Sequence, residues 1–491
     1  MSRLRLLLPE AGLKRWHRLL AERLIDDGHS VAVALRPPRG APPPSTALIE
    51  ALEDLLNRGR RPSACEAEAP GAWSAADDGD ADLTFDLTGS AETEAGAIVP
   101  HFDGAPGDGA CDAALIAGRA PWIELIVPND AAALACADAL PALPGGRRLI
   151  AGRAAVANVL SSLVRHVAAN GASETRPVRA RAIAPAPTQF GAATALLSGL
   201  IARRLRQLVV HDGHWRIGLR RRSGEDALMT GLNHIHSPIW RWLPDDRQRY
   251  FADPFLFEEG GVTYLFCEEF PYATGKGVIS VSTLDEAGVP GPTRIVLEQP
   301  FHLSYPLVFR AEGEIWMMPE SGGNRTLDLY RAEHFPDRWK LERTLIAGAE
   351  LADATPFFHN GQWWLMAASG DLTGSTWDTL VLYSGGGPLG PWTPTSNGPA
   401  LIDASAARPA GHIFTHEGAL WRPAQDCRAG YGAGLALCRI DALGPGRFAQ
   451  APMLRFAPPG GMHTINATER FVAMDVAGPR ARFAWAEGLA P

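Results

Sequence analysis

The spacing of apolar positions changes along the chain and predicts two kinds of architecture. In the first part, short apolar runs alternate with stretches in which apolar side chains recur every three or four positions. Residues 4–8 read as a strand. Leu13, Trp16, Leu20 and Leu24 mark one face of a helix over 13–25, which Asp27-Gly28 closes with a glycine of the C-cap type. Residues 29–35 predict a second strand, 46–56 a second helix and 81–87 a third strand; 123–127 and 148–150 predict further strands, and 154–168 a long helix. Strands alternating with helices predict a parallel sheet, so residues 1–171 are expected to form a Rossmann-like α/β domain. The loop after the first strand, Leu8-Pro9-Glu10-Ala11-Gly12, lacks the glycines of a GxGxxG or Walker cradle, and no nucleotide is expected there. Topology leaves open a pocket at the carboxyl ends of the strands.

Residues 172–187 are rich in Pro, Ala and Arg without periodicity and read as a linker. Residues 190–208 read as a helix carrying Arg203, Arg204 and Arg206, and Arg216, Arg220, Arg221 and Arg222 follow. Two readings stand: a docking face for an anionic membrane or lipid-linked substrate, or a solvated helix and edge strand. The segment 172–210 is thus a linker plus a helix.

From 211 to 491 the pattern becomes a repeat. Each copy has a polar residue before Pro or Thr, a short apolar strand, a Gly turn and an aromatic-rich strand. The copies open at Asp253-Pro254, Tyr305-Pro306, Thr355-Pro356, Arg408-Pro409 and, more weakly, His463-Thr464. Third strands recur at Gly277-Val-Ile-Ser, Leu327-Asp-Leu-Tyr, Leu380-Val-Leu-Tyr and Leu435-Ala-Leu-Cys. The period is roughly fifty residues, the size of one propeller blade. Five units of four strands predict a five-bladed β-propeller, so the fold class is multidomain, α/β followed by all-β. The residues that lead the innermost strands then meet near one mouth of the central channel: Asp253, Tyr305, Asp353 with Thr355, Arg408 and His463. Convergent ionisable groups in a concavity make a candidate active site.

Composition adds restraint. The 491 residues include 51 Gly, 40 Pro and 14 Trp, as turn-rich β structure requires, and the net charge of −8 excludes a protein-wide basic field for nucleic acid. The six cysteines form no CxxC pair, which suits a reducing compartment. No apolar run reaches a signal core or the ~18 residues of a membrane span, and the expectation is a cytoplasmic protein. No metal-ligand spacing and no cofactor motif is found.

Two resemblances attach to these motifs. Residues 1–100 resemble the amino-terminal half of formyltransferases, through the opening strand–helix–strand and Asp82-Leu83-Thr84-Phe85-Asp86-Leu87-Thr88. The family's catalytic Asn and its His-x-Ser-Leu-Leu-Pro motif have no match, which implies that formyl transfer is lost. Residues 230–480 resemble the propeller of plant glucosamine inositolphosphorylceramide transferases and their bacterial relatives. The carrying motifs are Tyr250-Phe-Ala-Asp253-Pro-Phe, His302-Leu-Ser-Tyr305-Pro, Met318-Pro-Glu320-Ser321, Asp353-Ala-Thr355, Arg408-Pro-Ala-Gly411, Gln425-Asp426 and His463-Thr464. The transferase domain that follows in the plant proteins is not expected here, the sequence ending at Pro491. Ala252-Asp253-Pro254-Phe255 is also similar to the first blade of the glycoside hydrolase clan of arabinanases and β-xylosidases.

The second resemblance implies roles. Asp253 falls at that clan's general base, Asp353 at the acid that orients the proton donor, and Arg408 where the donor Glu belongs; Glu320 is the best substitute acid. For each carboxylate a structural reading stands beside the functional one, a turn cap for Asp253 and Asp353 and a bridge to Arg for Glu320. Arg408, with His463, His412 and Arg422, offers an anion pocket, and His302, Tyr305, Thr355, Gln425 and Asp426 are candidate sugar contacts. The expected activity is cleavage or transfer at a glycosidic or glycosyl-phosphate bond, on a sugar, phosphosugar or glycolipid. The rival is a glycan- or glycolipid-binding module without catalysis.

Overall fold

The structure is a computed structural model that describes residues 1–40, 45–69, 80–127, 133–143, 148–172, 175–178, 188–222 and 239–481. Most of the linker reading, residues 173–174 and 179–187, lies outside the described residues. The architecture is mostly β, with many sheets, and no strand order closes a sheet into a barrel among the described residues. The chain divides into two compact units. One is Met1–Ala202 with Leu372–Gly374 and Asn397–Asp403; the other is Arg203–Asp371, Ser375–Ser396 and Ala404–Pro491.

In the first unit, Arg3–Pro9 pairs in parallel with Ser30–Arg36 on one side and Leu83–Asp86 on the other. Helices α1 (Arg15–Asp26), α2 (Ala47–Leu56), α3 (Asp108–Ile116) and α4 (Leu149–Asn170) complete it. Leu4, Leu6, Leu8, Leu20, Leu24, Phe85, Val159 and Val164 build a common core. Two expectations need correction. Residues 148–150 begin α4 rather than forming a strand: the buried Glu53 carboxylate accepts the Leu149 and Ile150 N–H groups at 2.5 and 2.9 Å, a tertiary cap that no local pattern reveals. The later strands also do not extend a single parallel sheet. Val99–Phe102, Ile123–Val127 and Leu134–Ala139 pair antiparallel in a second sheet. The six residues between Val127 and Leu134 are too few for the crossover that parallel neighbours need.

Among its described residues the second unit contains five antiparallel sheets. The first runs Arg249–Glu259, Val262–Pro271, Val278–Leu284, Arg294–Leu297; the second Ser304–Ala311, Glu314–Ser321, Thr326–His334, Arg338–Ala347. The third begins Leu351–His359, Gln362–Ser369, Thr379–Gly385, Trp392–Pro394, and the fourth is Phe414–His416, Ala419–Asp426, Gly434–Gly444, Arg447–Phe456. The fifth joins the two ends of this unit. Ile465–Ala467 and Phe471–Ala481 continue into Val210–Arg221 and Arg241–Trp242, with Phe471 opposite Arg221 and Ala481 opposite Val210. The repeat pattern assigns the fifth copy only its C-terminal strands; the rest come from before the first copy.

Apolar layers hold successive sheets face to face. Ile217, Leu219 and Phe471 of the fifth sheet pack with Phe251, Leu265 and Leu284 of the first. Phe255, Phe266 and Ile279 pack with Val308 and Met317 of the second. Trp316 and Leu329 pack with Leu365 and Trp392 of the third, and Trp421 and Leu437 of the fourth with Ile465 and Met474 of the fifth.

Three leading strands carry the same defect. Register slips between Ala252 and Phe255, between Ser304 and Leu307, and between Ala352 and Thr355. At each slip a non-glycine residue sits in the left-handed region: Asp253 at φ 49°, Tyr305 at 46°, Asp353 at 54°. Such bulges re-aim a side chain at a cost in backbone strain. The bulge therefore makes Asp353, not Thr355, the counterpart of Asp253; the proline on which the sequence alignment of the third copy relied is displaced by two positions.

Candidate functional site

The bulged residues and the ends of the second strands converge. Ala252 pairs with Glu268, Ser304 with Glu320 and Ala352 with Ala368, while the Gln425 N–H donates to the Arg408 carbonyl. Each of these second-strand positions lies four residues after an aromatic: Tyr264, Trp316, Trp364 and Trp421. Phe471 obeys the same rule and delivers Asp475. That rule is the sequence signal for Asp475, which motif reading missed.

One group centres on Asp253, His463 and Asp475, at 4%, 2% and 0% exposure. His463 Nδ1 lies 2.8 Å from Asp475 Oδ2 and 3.3 Å from Asp253 Oδ1. The Thr464 hydroxyl donates to Asp253 Oδ1 at 2.6 Å, and the Tyr305 N–H donates to Oδ2 at 3.1 Å. Asp475 accepts the N–H groups of His463, Thr464 and Asp253. Burial alone would strip the imidazole of its proton, but Asp475 and Asp253 outweigh it and hold His463 well above its usual range. Burial likewise opposes charge on Asp253, and the adjacent His463 cation overcomes it, so this carboxyl is held below its usual range. The three residues also form a candidate cation site, their ligand atoms lying within 4.8 Å of one another. A histidine that donates from Nδ1 cannot ligate through that atom, so hydrogen bonding accounts for the group.

This pairing sets a pH dependence. A raised folded-state histidine contributes stability below about pH 6.5, lost as pH rises through the folded value; a lowered aspartate contributes above about pH 4, lost on acidification. His463→Gln is expected to remove the alkaline limb of the stability–pH curve and, by taking away the cation that holds Asp253 low, to shrink the acid limb as well, as read by urea unfolding between pH 4 and 10. An unchanged alkaline limb contradicts the assignment.

A second group surrounds Arg408. Its Nε donates to Asp353 Oδ2 at 2.6 Å, Nη2 to Glu320 Oε2 at 3.2 Å and Nη1 to the Thr376 hydroxyl at 2.8 Å. Gln425 Nε2 donates to the same Asp353 oxygen at 2.9 Å. Burial pushes the Asp353 carboxyl up, with Arg408 opposing, while Arg408 remains a cation. Its guanidinium lies 5.0 Å from the Tyr431 ring centroid. Tyr431, 40% exposed, also borders His463 and Trp377, and Trp215 lies 3.8 Å from the His463 ring. These aromatics were not singled out as site residues.

Between the groups sits Glu268, 5% exposed. Tyr250 Oη donates to its Oε1 at 3.2 Å, and Nε2 of the half-exposed His302 is 3.3 Å from the same oxygen. Burial, reinforced by Asp253, pushes the Glu268 carboxyl well above its usual range. Burial also lowers His302, so this contact is not an ion pair.

The remaining predicted residues separate into two kinds. Tyr305 is wholly buried: its hydroxyl accepts the Gly411 N–H at 2.7 Å and contacts Thr355 Oγ1 at 2.9 Å, and Thr355 donates onward to the Asp353 carbonyl. This chain ties the second, third and fourth repeat copies together. Other residues turn elsewhere. His412 bonds Asn466, with burial lowering its imidazole to about 4. Asp426 bridges Arg428 and Arg455, and Arg422 donates to the Ala406 and Ala407 carbonyls. The structure thus groups Asp253 with His463, and Asp353 and Glu320 with Arg408 and Gln425, while His412, Arg422 and Asp426 bond outside both groups.

The family model described as "Glucosamine inositolphosphorylceramide transferase 1, N-terminal" matches residues 245–465. The glucosamine inositolphosphorylceramide transferase 1 of Oryza sativa subsp. japonica is 36% identical over 208 residues, covering 42% of this chain and 28% of the rice protein. The Arabidopsis thaliana protein of the same name is 36% identical over 198 residues, covering 40% and 26%. Among solved structures, a β-xylosidase shares 13% identity at a TM-score of 0.34, covering 49% of this chain and 97% of its own. The GH43_1 enzyme from Xanthomonas citri shares 14% at 0.33, covering 41% and 73%. The chain therefore spans little more than a quarter of the curated relatives it matches. Over residues 245–465 it is similar to the N-terminal domain of the glucosamine inositolphosphorylceramide transferases.

Proposed function

We propose that the second unit is a five-bladed β-propeller that binds a sugar head group over the axial cluster and acts on its glycosidic bond. Glu268 is the proton donor and Asp253 the ionised partner. The observation that carries this reading is the opposite displacement of two neighbouring carboxyls, one pushed up by burial and one held down by a histidine cation. Carboxyls driven apart in this way divide the acid and base roles. Glu268 would protonate the departing oxygen as the bond to the anomeric carbon breaks. Among the described residues, Asp253 Oδ2 receives a single hydrogen bond, from the Tyr305 N–H, which leaves a lone pair for an attacking water. The exposed Tyr431, with the half-exposed Trp377 beside it, supplies aromatic surface for a sugar face. Asp353 and Glu320 serve as positioning groups. They occupy the Arg408 fork, which argues against a phosphate there and favours a glycosidic bond over a glycosyl phosphate.

A second reading, glycan or glycolipid binding without catalysis, is favoured by one observation: Asp253 and Asp353 already accept several protein hydrogen bonds. Glu268→Gln separates the two, because an enzyme loses turnover and keeps its ligand, whereas a binder changes in affinity or not at all.

A lipid-linked head group is supported by helix α5 (Gln189–Val209). Phe190, Leu197, Ile201, Leu205 and Leu208 recur along one face and are 40–74% exposed; the helix carries Arg203, Arg204 and Arg206 and no acidic residue. That pattern suits an anionic membrane surface. The relatives' name, which joins glucosamine to a ceramide lipid, points the same way. Full-length protein is expected to co-sediment with phosphatidylserine-containing vesicles and not with phosphatidylcholine alone, and Ile201→Glu with Leu205→Glu to abolish it. Equal sedimentation with both vesicles contradicts the proposal.

A further inference from the structure

The first unit holds a cavity of about 420 Å³ at the carboxyl ends of Arg3–Pro9 and Leu83–Asp86, within the size range of small-molecule sites. Its apolar wall includes Trp16, Phe102 and Leu160. Two kinds of polar group face it. Arg153 is spent: it donates to both Asp112 oxygens at 2.7 Å, to Glu50 at 2.8 Å and to Thr46 at 3.1 Å. Lys14 and Asp108 are not. Among the described residues, neither the Lys14 ammonium nor the Asp108 carboxyl has a hydrogen bond or ion pair.

His17 adds a third available group. It is 4% exposed and lines the cavity. Its Nδ1 accepts the Lys14 backbone N–H at 3.0 Å, which fixes the ring proton on Nε2. Burial lowers this histidine to about 3, so it is a neutral donor at physiological pH. The backbone is shaped around Asp108. Gly89 lies at φ 71°, and a Cβ there would come within 2.4 Å of Asp108 Oδ2; Gly107, just before Asp108, lies at φ 87°. A glycine is thus required for the carboxyl to reach its place.

We infer that this cavity is a second ligand site, independent of the propeller, for a small acid with a flat apolar body and an N–H or O–H donor. The carboxylate or phosphate of the ligand meets Lys14 and the His17 Nε2–H. The apolar body lies on Trp16, Phe102 and Leu160. The donor meets Asp108. Asp108, which is exposed, and Lys14, which is partly exposed, offer an acceptor and a cation without hydrogen-bonded protein partners among the described residues in one cavity, which favours a ligand that supplies both partners.

Calorimetric titration of the full chain tests this with three probes: 4-hydroxybenzoate, 4-hydroxyphenyl phosphate and the uncharged 4-hydroxybenzamide. At least one acid is expected to bind about tenfold or more tightly than the amide, and the tighter acid tells carboxylate from phosphate. Lys14→Ala, a partly exposed position, is expected to erase that difference while leaving amide binding and the melting temperature unchanged. Asp108→Asn is expected to weaken all three. Glu268→Gln is expected to leave every affinity unchanged, which separates this site from the propeller. Equal binding of acids and amide, retention of the preference in Lys14→Ala, or no binding of either acid at millimolar concentration would overturn the inference.

Discussion

Glu268→Gln lowers turnover of an aryl glycoside by about 10²- to 10⁴-fold, the range of general acid catalysis, while ligand affinity changes little. The loss depends on the leaving group. A poor leaving group needs the proton and shows the full effect; a good one departs as an anion and shows much less. The substitution is mild in the folded state because the Glu268 carboxyl is already held neutral, and the amide oxygen still accepts from Tyr250. The sign of its stability effect follows. A carboxyl raised in the folded state favours folding below its unfolded value near pH 4.3 and loses that contribution as pH rises through the folded value. Glutamine has no such limb, so the variant equals the wild type in acid and exceeds it at alkaline pH. A loss independent of the leaving group, or a variant less stable than wild type at every pH, contradicts the acid assignment.

Arg408→Met destabilises the second unit by about 3–5 kcal/mol at neutral pH, because it leaves buried carboxyls without their cation. Arg408 and Asp353 side chains are 6% and 3% exposed, and Glu320 shares the same guanidinium. Methionine replaces the volume but none of the three hydrogen-bonded contacts. In the variant the opposing pull of Arg408 on Asp353 is gone, and burial raises this carboxyl further above its unfolded value, so the deficit shrinks as pH falls toward 4. Urea unfolding from pH 4 to 8 reads both effects. A deficit below about 1 kcal/mol, or one that grows on acidification, would show that Arg408 is not the counter-ion of this cluster.

How far the sequence reveals all this depends on where each interaction partner lies along the chain. The repeat is legible because each copy carries its own turn glycine and aromatic strand, as in Gly313-Glu-Ile-Trp316 and Gly361-Gln-Trp-Trp364. The fifth sheet is only half legible: Val210–Arg221 precedes the first copy and has no copy-like motif, yet it pairs with Phe471–Ala481 over its whole length. In the first unit, Leu134–Ala139 reads Leu-Ala-Cys-Ala-Asp-Ala, and alanine has little preference for strands, so its place in an antiparallel sheet emerges from tertiary pairing. The site follows the same logic. Asp253, Asp353, Glu320, Arg408 and His463 come from repeat positions, and the structure puts Asp253 beside His463 and Asp353 and Glu320 beside Arg408. His412, Arg422 and Asp426 have equally suitable chemistry, but their partners Asn466, the Ala406 and Ala407 carbonyls, Arg428 and Arg455 are set by packing. Glu268 stands out as an acid only when its burial and its nearness to the Asp253 carboxylate are known.

Difference infrared spectroscopy of the free protein at pH 7, comparing wild type with Glu268→Gln, tests the division of protons between Glu268 and Asp253 without needing a substrate. A protonated-carboxyl band present in the wild type and missing from the variant, with Asp253→Asn removing only carboxylate absorption, is the predicted outcome. A carboxylate band that disappears with Glu268 instead would mean that both acids are ionised, leaving the cluster without a proton to give.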